Sequence, residues 1–228
     1  MEKVTALIMA AGKGSRLGSD VPKQYLEISG RPLLYYALKA FENSLTDETV
    51  IVCPAGDEEY IQREIVEKYG LKKVAGIVPG GKERYNSVYN GLCDIDCAYV
   101  LIHDGARPFI RPGTINKVIK KVRETGAVVC GMPVKDTIKL SDAEGFVSST
   151  TERALTWQIQ TPQAFEYASL KAAYETILSR CGDAAITDDS MIYERAYPGK
   201  KILLLQAGYE NIKITTPEDL KIAKALLE

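Results

Sequence analysis

The stretch VTALIM at Val4–Met9, running without a break into AAGKGSRLG at Ala10–Gly18, decides how this chain folds. Six uncharged residues, with β-branched side chains at Val4, Thr5 and Ile8, suit a strand covered on both faces, and Gly12, Gly14 and Gly18 allow the chain to turn at its carboxyl end. The same pattern recurs further along. Thr49–Cys53, Val74–Val78, Ala98–Ile102 and Ala127–Gly131 are apolar runs of strand length. Between them apolar residues return at helical spacing: Leu34, Leu38 and Phe41, then Ile61, Ile65 and Tyr69, then Tyr85, Val88 and Leu92, then Ile115, Ile119 and Val122. Strands buried on both faces and separated by helices need long crossovers, which makes an α/β protein with a mostly parallel sheet and helices on both faces.

The pattern changes after Pro133. Asp136–Leu140 and Phe146–Thr150 alternate around the turn-forming Ser141–Gly145, predicting a β-hairpin inserted before the α/β pattern resumes at Phe165. A lone hairpin is marginal in water, so this arm, approximately residues 135–160, is expected to be covered by a second subunit in a homodimer. A strand at Ile202–Gln206, the segment Asn211–Thr215 and a helix begun by Thr216, Pro217 and Glu218 close the chain. Neither a composition break nor a repeat divides the 228 residues, so one domain, 1–228, is expected.

Twenty-nine Lys and Arg against 30 Asp and Glu leave a formal net charge of −1, so no overall basic field exists to hold a nucleic acid or an anionic membrane. Any anion must be caught locally. The early apolar run Val4–Ala11 is far short of the ~20 residues that cross a bilayer, and Glu2 stands where a signal peptide carries positive charge; the expectation is a cytoplasmic protein with neither a nucleic-acid nor a membrane partner. Cys53, Cys93, Cys97, Cys130 and Cys181, an odd set with no CxxC pair, suit a reducing compartment and read as buried thiols. His103 is the single histidine, which excludes a His-rich metal site.

In an open α/β sheet ligands sit beyond the carboxyl ends of the strands, so the glycine loop after Met9 is the place for a phosphate. Its glycines let backbone N–H groups approach an anion, and Lys13, Arg16 and Lys23 add three cations within eleven residues, more than a plain turn requires. The spacing is not that of a dinucleotide fingerprint, because Leu17 stands where GxGxxG needs its third glycine, and no Walker string GxxxxGK followed by Ser or Thr occurs. The loop points to a nucleotide held by Gly, Arg and Lys in a third manner.

Ala10–Gly18 with PKQY at Pro22–Tyr25 resembles the signature of the sugar-phosphate nucleotidylyltransferases, a Rossmann-like family. GGKERYNSVYNGL at Gly80–Leu92, HDGARP at His103–Pro108, VKDTIK at Val134–Lys139, QTPQ at Gln160–Gln163, TDD at Thr187–Asp189 and NIKITTPEDL at Asn211–Leu220 resemble, in order and over nearly the whole chain, the 2-C-methyl-D-erythritol 4-phosphate cytidylyltransferases. The resemblance implies attack by a phosphomonoester oxygen on the α-phosphorus of CTP, release of pyrophosphate, and a step of the non-mevalonate isoprenoid pathway. A ribitol 5-phosphate cytidylyltransferase, which shares the glycine loop, PKQ, TPQ and KIT, stays open as an alternative, as does a non-catalytic nucleotide-binding module. The glycine spacing disfavours an NAD-dependent dehydrogenase.

A phosphate nucleophile is already largely ionised at neutral pH, its second pKa being about 6, so no general base is required and His103 is read as a structural ring. What must be supplied is charge neutralisation. By resemblance Arg16 and Lys23 flank the α-phosphate and stabilise the transition state, while Ala10, Ala11, Gly12 and Gly14, with Gly80, Gly81 and Ser87 around the pyrimidine, bind the nucleotide. Asp104 and Arg107 would contact the substrate. Lys213 and Arg153 would cradle its phosphate, helped by the hydroxyls of Thr137, Thr161 and Thr187, with Thr137 and Arg153 reaching a neighbour's site across the homodimer. Mg²⁺ is expected, held mainly by triphosphate oxygens and water rather than by protein ligands.

Overall fold

The computed structural model describes residues 2–12, 22–180 and 186–227. Its centre is a seven-stranded sheet built from β1 (Val4–Met9), β4 (Glu48–Cys53), β5 (Val74–Pro79), β6 (Tyr99–Asp104), β7 (Ala127–Pro133), β10 (Trp157–Glu166) and β11 (Leu203–Gln206). The spatial order is β11-β7-β10-β6-β1-β4-β5. All neighbouring pairs are parallel except those of β10, which runs against both β6 and β7. Two short strands, β2 (Glu27–Ile28) and β3 (Arg31–Pro32), pair beside the body, and β8 (Lys139–Ser141) pairs with β9 (Val147–Thr150) in the arm.

Every residue of β1 is buried, as expected for a strand covered on both faces. Alternation along the strand divides its side chains between two layers. Ala6 and Ile8 pack with Leu38 and Phe41 of α1 (Leu33–Glu42), with Ile61 of α2 (Glu58–Ile61), and with Ile115 and Ile119 of α4 (Pro112–Thr125). Leu7 and Met9 pack with Val88 and Leu92 of α3 (Arg84–Cys93), Leu170 and Tyr174 of α5 (Tyr167–Arg180), and Ile192 of α6 (Asp189–Ala196). Burial contributes about 1.5–3 kcal/mol for each such large apolar side chain, so stability resides in this sandwich and leaves the loops at the strand ends to carry function. A third cluster, Ile28, Leu33, Ile214 and Ala223, seats α7 (Pro217–Leu227) against β2 and the start of α1.

Four differences between the sequence reading and the structure bear on the site, the arm and the thiols. β6 reaches Asp104 instead of ending at Ile102, so His103 and Asp104 belong to the strand and inherit its rigidity. The arm hairpin is shorter than expected at its base, where residues 136–138 stay outside the ladder that starts at Lys139, and its turn is shifted by one residue because Asp142 accepts hydrogen bonds from the backbone of Glu144 and Phe146. β10 was not anticipated; its outer end is exposed and Gln160–Phe165 is buried, so it begins in the arm and finishes inside the sheet. The buried-thiol expectation holds for Cys53 and Cys130, both pushed up to about 12 by burial. It fails for Cys93, which ends α3 with its side chain exposed, while Cys97 is half-buried and Cys181 lies outside the described residues.

Among the described residues no helix is long and apolar enough to cross a membrane. The chain passes from β1 to β4 and β5 on one side, then returns to β6 on the other, so the carboxyl ends of β1 and β6 part at a switch in strand order. Open α/β sheets bind ligands in such a crevice.

Candidate active site

The crevice holds a cavity of about 470 Å³, within the roughly 300–1,000 Å³ usual for small-molecule sites. Met9, Ala10, Ala11 and Gly12 reach it from β1, Gly81, Lys82, Glu83 and Arg84 from the turn after β5, and Asp104 and Ala106 from β6. Lys23 and Gln24, on a single 3₁₀ turn, and Lys213, ahead of α7, complete the described wall with Ser87.

The turn into α3 is shaped by hydrogen bonds from its own sequence. Gly80 N–H donates to the Cys53 carbonyl at 2.7 Å, drawing β5 against β4, and a Cβ at Gly80 would come within 2.6 Å of Ala11 Cβ and 2.8 Å of Ser87 Oγ. Only glycine fits there. Ser87 Oγ accepts the Gly81 N–H at 2.9 Å and donates to the Glu83 carbonyl at 3.1 Å. Glu83 and Asn86 close a reciprocal capping box at the start of α3. Ser87 is therefore the strut of the loop that forms this wall.

Asp104 is the electrostatic centre. Lys213 Nζ lies 2.7 Å from Oδ2, Arg84 Nε 3.3 Å from Oδ1, and Arg107 Nε 3.9 Å from Oδ2. Burial pushes the Asp104 carboxyl up, but Arg84, Lys213 and Arg107 outweigh it and hold the group far below the usual carboxylate range. Arg84 is also gripped by Asp189 through Nη1–Oδ1 at 2.9 Å and Nη2–Oδ2 at 2.8 Å. Arg84, Arg107 and Lys213 thus face Asp104 and Asp189, and with Lys23, Lys82 and Glu83 on the same wall five cations stand against three carboxylates among the described residues, so the excess is positive. That is a site built for a polyanion.

Behind Asp104 lies a neutral polar chain. His103 is fully buried; its Nε2 faces the Arg107 carbonyl at 3.1 Å, so it carries the proton and donates, leaving Nδ1 to accept from Thr161 Oγ1 at 3.1 Å. Thr161 Oγ1 in turn accepts the Asp104 N–H at 3.0 Å. Burial pushes the His103 imidazole down to about 4, so it is neutral at physiological pH. Asn211 ties the segment ahead of Lys213 to β10, donating to Gln160 Oε1 at 3.0 Å and the Thr161 carbonyl at 2.8 Å.

Of the residues expected from the sequence, Ala10, Ala11, Gly12, Lys23, Gly81, Ser87, Asp104 and Lys213 meet at the cavity, and Gly80 supports them from behind. Arg16 and Gly14 lie outside the described residues. Two of the expected residues stand behind the cavity. Thr161 is buried, its hydroxyl accepting the Asp104 N–H and donating to His103 Nδ1. Arg107 lies off the cavity wall, its Nη1 donating to the Asn211 carbonyl at 2.8 Å, which makes it a brace for the Lys213 segment.

Thr187, exposed ahead of α6, does not line the cavity, and neither do Thr137 and Arg153, which are exposed on the arm. Sequence reasoning missed Arg84, Lys82 and Gln24. Arg84 stood inside a quoted motif and would have been found by asking which cation begins a helix facing a strand-end carboxylate. Gln24 is 2% exposed, neither of its amide atoms is hydrogen-bonded among the described residues, and nothing in PKQY marks it.

A family model described as IspD, 2-C-methyl-D-erythritol 4-phosphate cytidylyltransferase, matches residues 4–228. Proteins named 2-C-methyl-D-erythritol 4-phosphate cytidylyltransferase are similar to this chain: that of Lachnoclostridium phytofermentans is 51% identical over 100% of this chain and 97% of its own length, and that of Pelotomaculum thermopropionicum 44% identical over 100% and 95%. Among solved structures, 4-diphosphocytidyl-2C-methyl-D-erythritol synthase from Anaerococcus prevotii superposes with a TM-score of 0.87 at 35% identity, covering 99% of this chain and 96% of its own. The Thermus thermophilus cytidylyltransferase does so with a TM-score of 0.78 at 31% identity, covering 98% of each chain.

Proposed function

The chain belongs to the 2-C-methyl-D-erythritol 4-phosphate cytidylyltransferase family, and from that premise we infer how its own residues carry the reaction. It transfers a cytidylyl group from CTP to 2-C-methyl-D-erythritol 4-phosphate, giving 4-diphosphocytidyl-2-C-methyl-D-erythritol and pyrophosphate in the non-mevalonate pathway.

The observation that carries the assignment of roles is the Lys213–Asp104–Arg84 cluster facing Lys23 across one cavity. Two unit charges 4 Å apart repel by about 4 kcal/mol at an effective dielectric of ~20, and each charge-assisted hydrogen bond contributes about 1.5–3 kcal/mol, so two or three fixed cations suffice to bring the phosphates together. Lys213 orients the attacking phosphate. Lys23 and Arg16 neutralise the charge that grows on the α-phosphate and on departing pyrophosphate. Ala10, Ala11, Gly12 and Gly14 bind the nucleotide through backbone groups, with Gly80, Gly81 and Ser87 shaping the pyrimidine end. His103, neutral and sealed behind Asp104, exchanges no proton with the reactants.

A divalent cation, Mg²⁺ in this proposal, supplies further neutralisation of the triphosphate when bound. Oxygen donors suit it, and Asp104, kept ionised by its cations, and Glu83 are the carboxylates of the described cavity wall; among the described residues no cluster of three His, Cys, Asp or Glu side chains forms a cage, so most ligands are assigned to nucleotide and water.

The chain acts as a single domain, 1–228, in the cytoplasm, as a homodimer joined through the arm. Leu140, Phe146, Val147 and Leu155 are 51–74% exposed there, an apolar surface that a second copy would cover. Arg153 and Thr137 then complete the neighbour's site, and Thr187 borders the substrate from the same chain. Release of pyrophosphate from CTP and 2-C-methyl-D-erythritol 4-phosphate tests the reading, with ribitol 5-phosphate and the other nucleoside triphosphates as controls. Equal turnover of ribitol 5-phosphate would overturn the substrate assignment.

A further inference from the structure

A line of contacts runs from the interior of α5 to the cavity wall. Tyr174 Oη donates to Asp189 Oδ1 at 2.6 Å, Asp189 takes two nitrogens of Arg84, and the remaining Nε of Arg84 lies 3.3 Å from Asp104 Oδ1, whose other oxygen holds Lys213. Asp189 has a side chain 0% exposed and does not line the cavity. Helix initiation does not need it, because the neighbouring Asp188 is the cap, accepting the Met191 N–H at 3.0 Å. Stability alone does not call for it either, since a buried ion pair is often matched by well-packed apolar side chains of the same volume. A two-point grip on a guanidinium does one thing a single contact does not: it fixes the plane of the group.

We propose that Asp189 is a positioning residue for cytidylyl transfer. It locks the plane of Arg84, Arg84 fixes the Asp104 carboxylate, and Asp104 sets where Lys213 stands. The chemistry asks for this because Lys213 has a flexible stem and must meet a phosphate at a defined point; misplacement by about 1 Å can cost a factor of about a hundred in rate.

The proposal rests on the roles assigned above to Asp104 and Lys213, and a double-mutant cycle separates the two. Asp189→Asn, Arg84→Met and the double variant are assayed for pyrophosphate release, with folding followed by thermal melting and circular dichroism, and Lys213→Met run alongside. We expect Asp189→Asn to lower kcat/KM by about tenfold or more, Asp189→Glu to retain more activity than Asn, and the double variant to be no worse than Arg84→Met alone. If Lys213→Met turns over normally, the site assignment fails. If Lys213→Met is inactive while Asp189→Asn stays within about twofold of the parent, or its loss adds in full to that of Arg84→Met, the relay alone fails. Should Asp189→Asn not fold, Tyr174→Phe, which removes only the hydroxyl, takes its place in the same cycle under the same criterion of additivity.

Discussion

Lys213 Nζ stands 2.7 Å from Asp104 Oδ2, so the cation assigned to the substrate phosphate is already aimed by a carboxylate. The partners differ in exposure, 35% for the Lys213 side chain and 10% for that of Asp104, and this makes their removal unequal. Asp104→Asn leaves Arg84, Arg107 and Lys213 facing one another. Breaking such a buried pairing costs about 3–5 kcal/mol, to be read as a lower urea midpoint. Lys213→Met leaves Asp104 with two arginines, so the stability change should stay below about 1 kcal/mol while turnover falls about 100-fold or more. A Lys213 variant that is destabilised yet fully active would reverse this assignment.

Acid stability should be governed first by His103. Its folded pKa of about 4 lies below the ordinary 6.5, so the stabilisation is complete above pH 6.5 and is lost as pH falls toward 4. At about 1.4 kcal/mol per pH unit, the drop from pH 6.5 to 5 removes about 2 kcal/mol. Asp104, also depressed, adds a loss of the same sign only below the ordinary carboxylate value of 3.8. Urea titrations at the two pH values measure the slope, and His103→Asn should flatten it.

Two glycines should respond oppositely to alanine. A Cβ at Gly80 meets Ala11, Ser87 and the Cys53 carbonyl, the last at 3.3 Å, so Gly80→Ala should lose about 1–3 kcal/mol and weaken CTP binding by displacing the turn. Gly113, inside α4, has nothing within 4 Å of such a Cβ, and Gly113→Ala should raise stability by about 0.4–1 kcal/mol. Thermal melting and CTP titration distinguish the two.

The shared site can be tested by mixing subunits. Lys23→Met and Arg153→Ala homodimers should both be nearly inactive. If the arm serves its neighbour, co-refolded mixtures contain heterodimers with one intact site, and activity should recover to about a quarter of the parent. Sites confined to one chain would show no recovery, and size-exclusion chromatography with light scattering gives the oligomeric state.

What could be read from the residues followed local rules. β1 was legible because an uncharged run of strand length leads straight into turn chemistry, and Asp104 and Lys213 were singled out by the motifs HDGARP and NIKITTPEDL, which the fold brings to one cavity. β10 was not, since Gln158, Gln160, Thr161 and Gln163 give it the polar character of an arm, and only tertiary packing buries the last three. Arg84 looks like any solvated charge opening a helix; its partners are 20 and 105 residues away. The partners of the Thr161 hydroxyl could not be read for a related reason: they are decided by which groups tertiary packing brings close, here the Asp104 N–H and His103 Nδ1, 57 and 58 residues away.

Helix α3 links Arg84 at the cavity wall to Cys93 at its far end, about 14 Å away at 1.5 Å per residue, and among the described cysteines that thiol alone is exposed. A thiol-selective dye placed there would share a rigid rod with the nucleotide turn while staying outside it. Once Cys181 is replaced, Cys93 serves as the attachment point for following CTP entry by fluorescence.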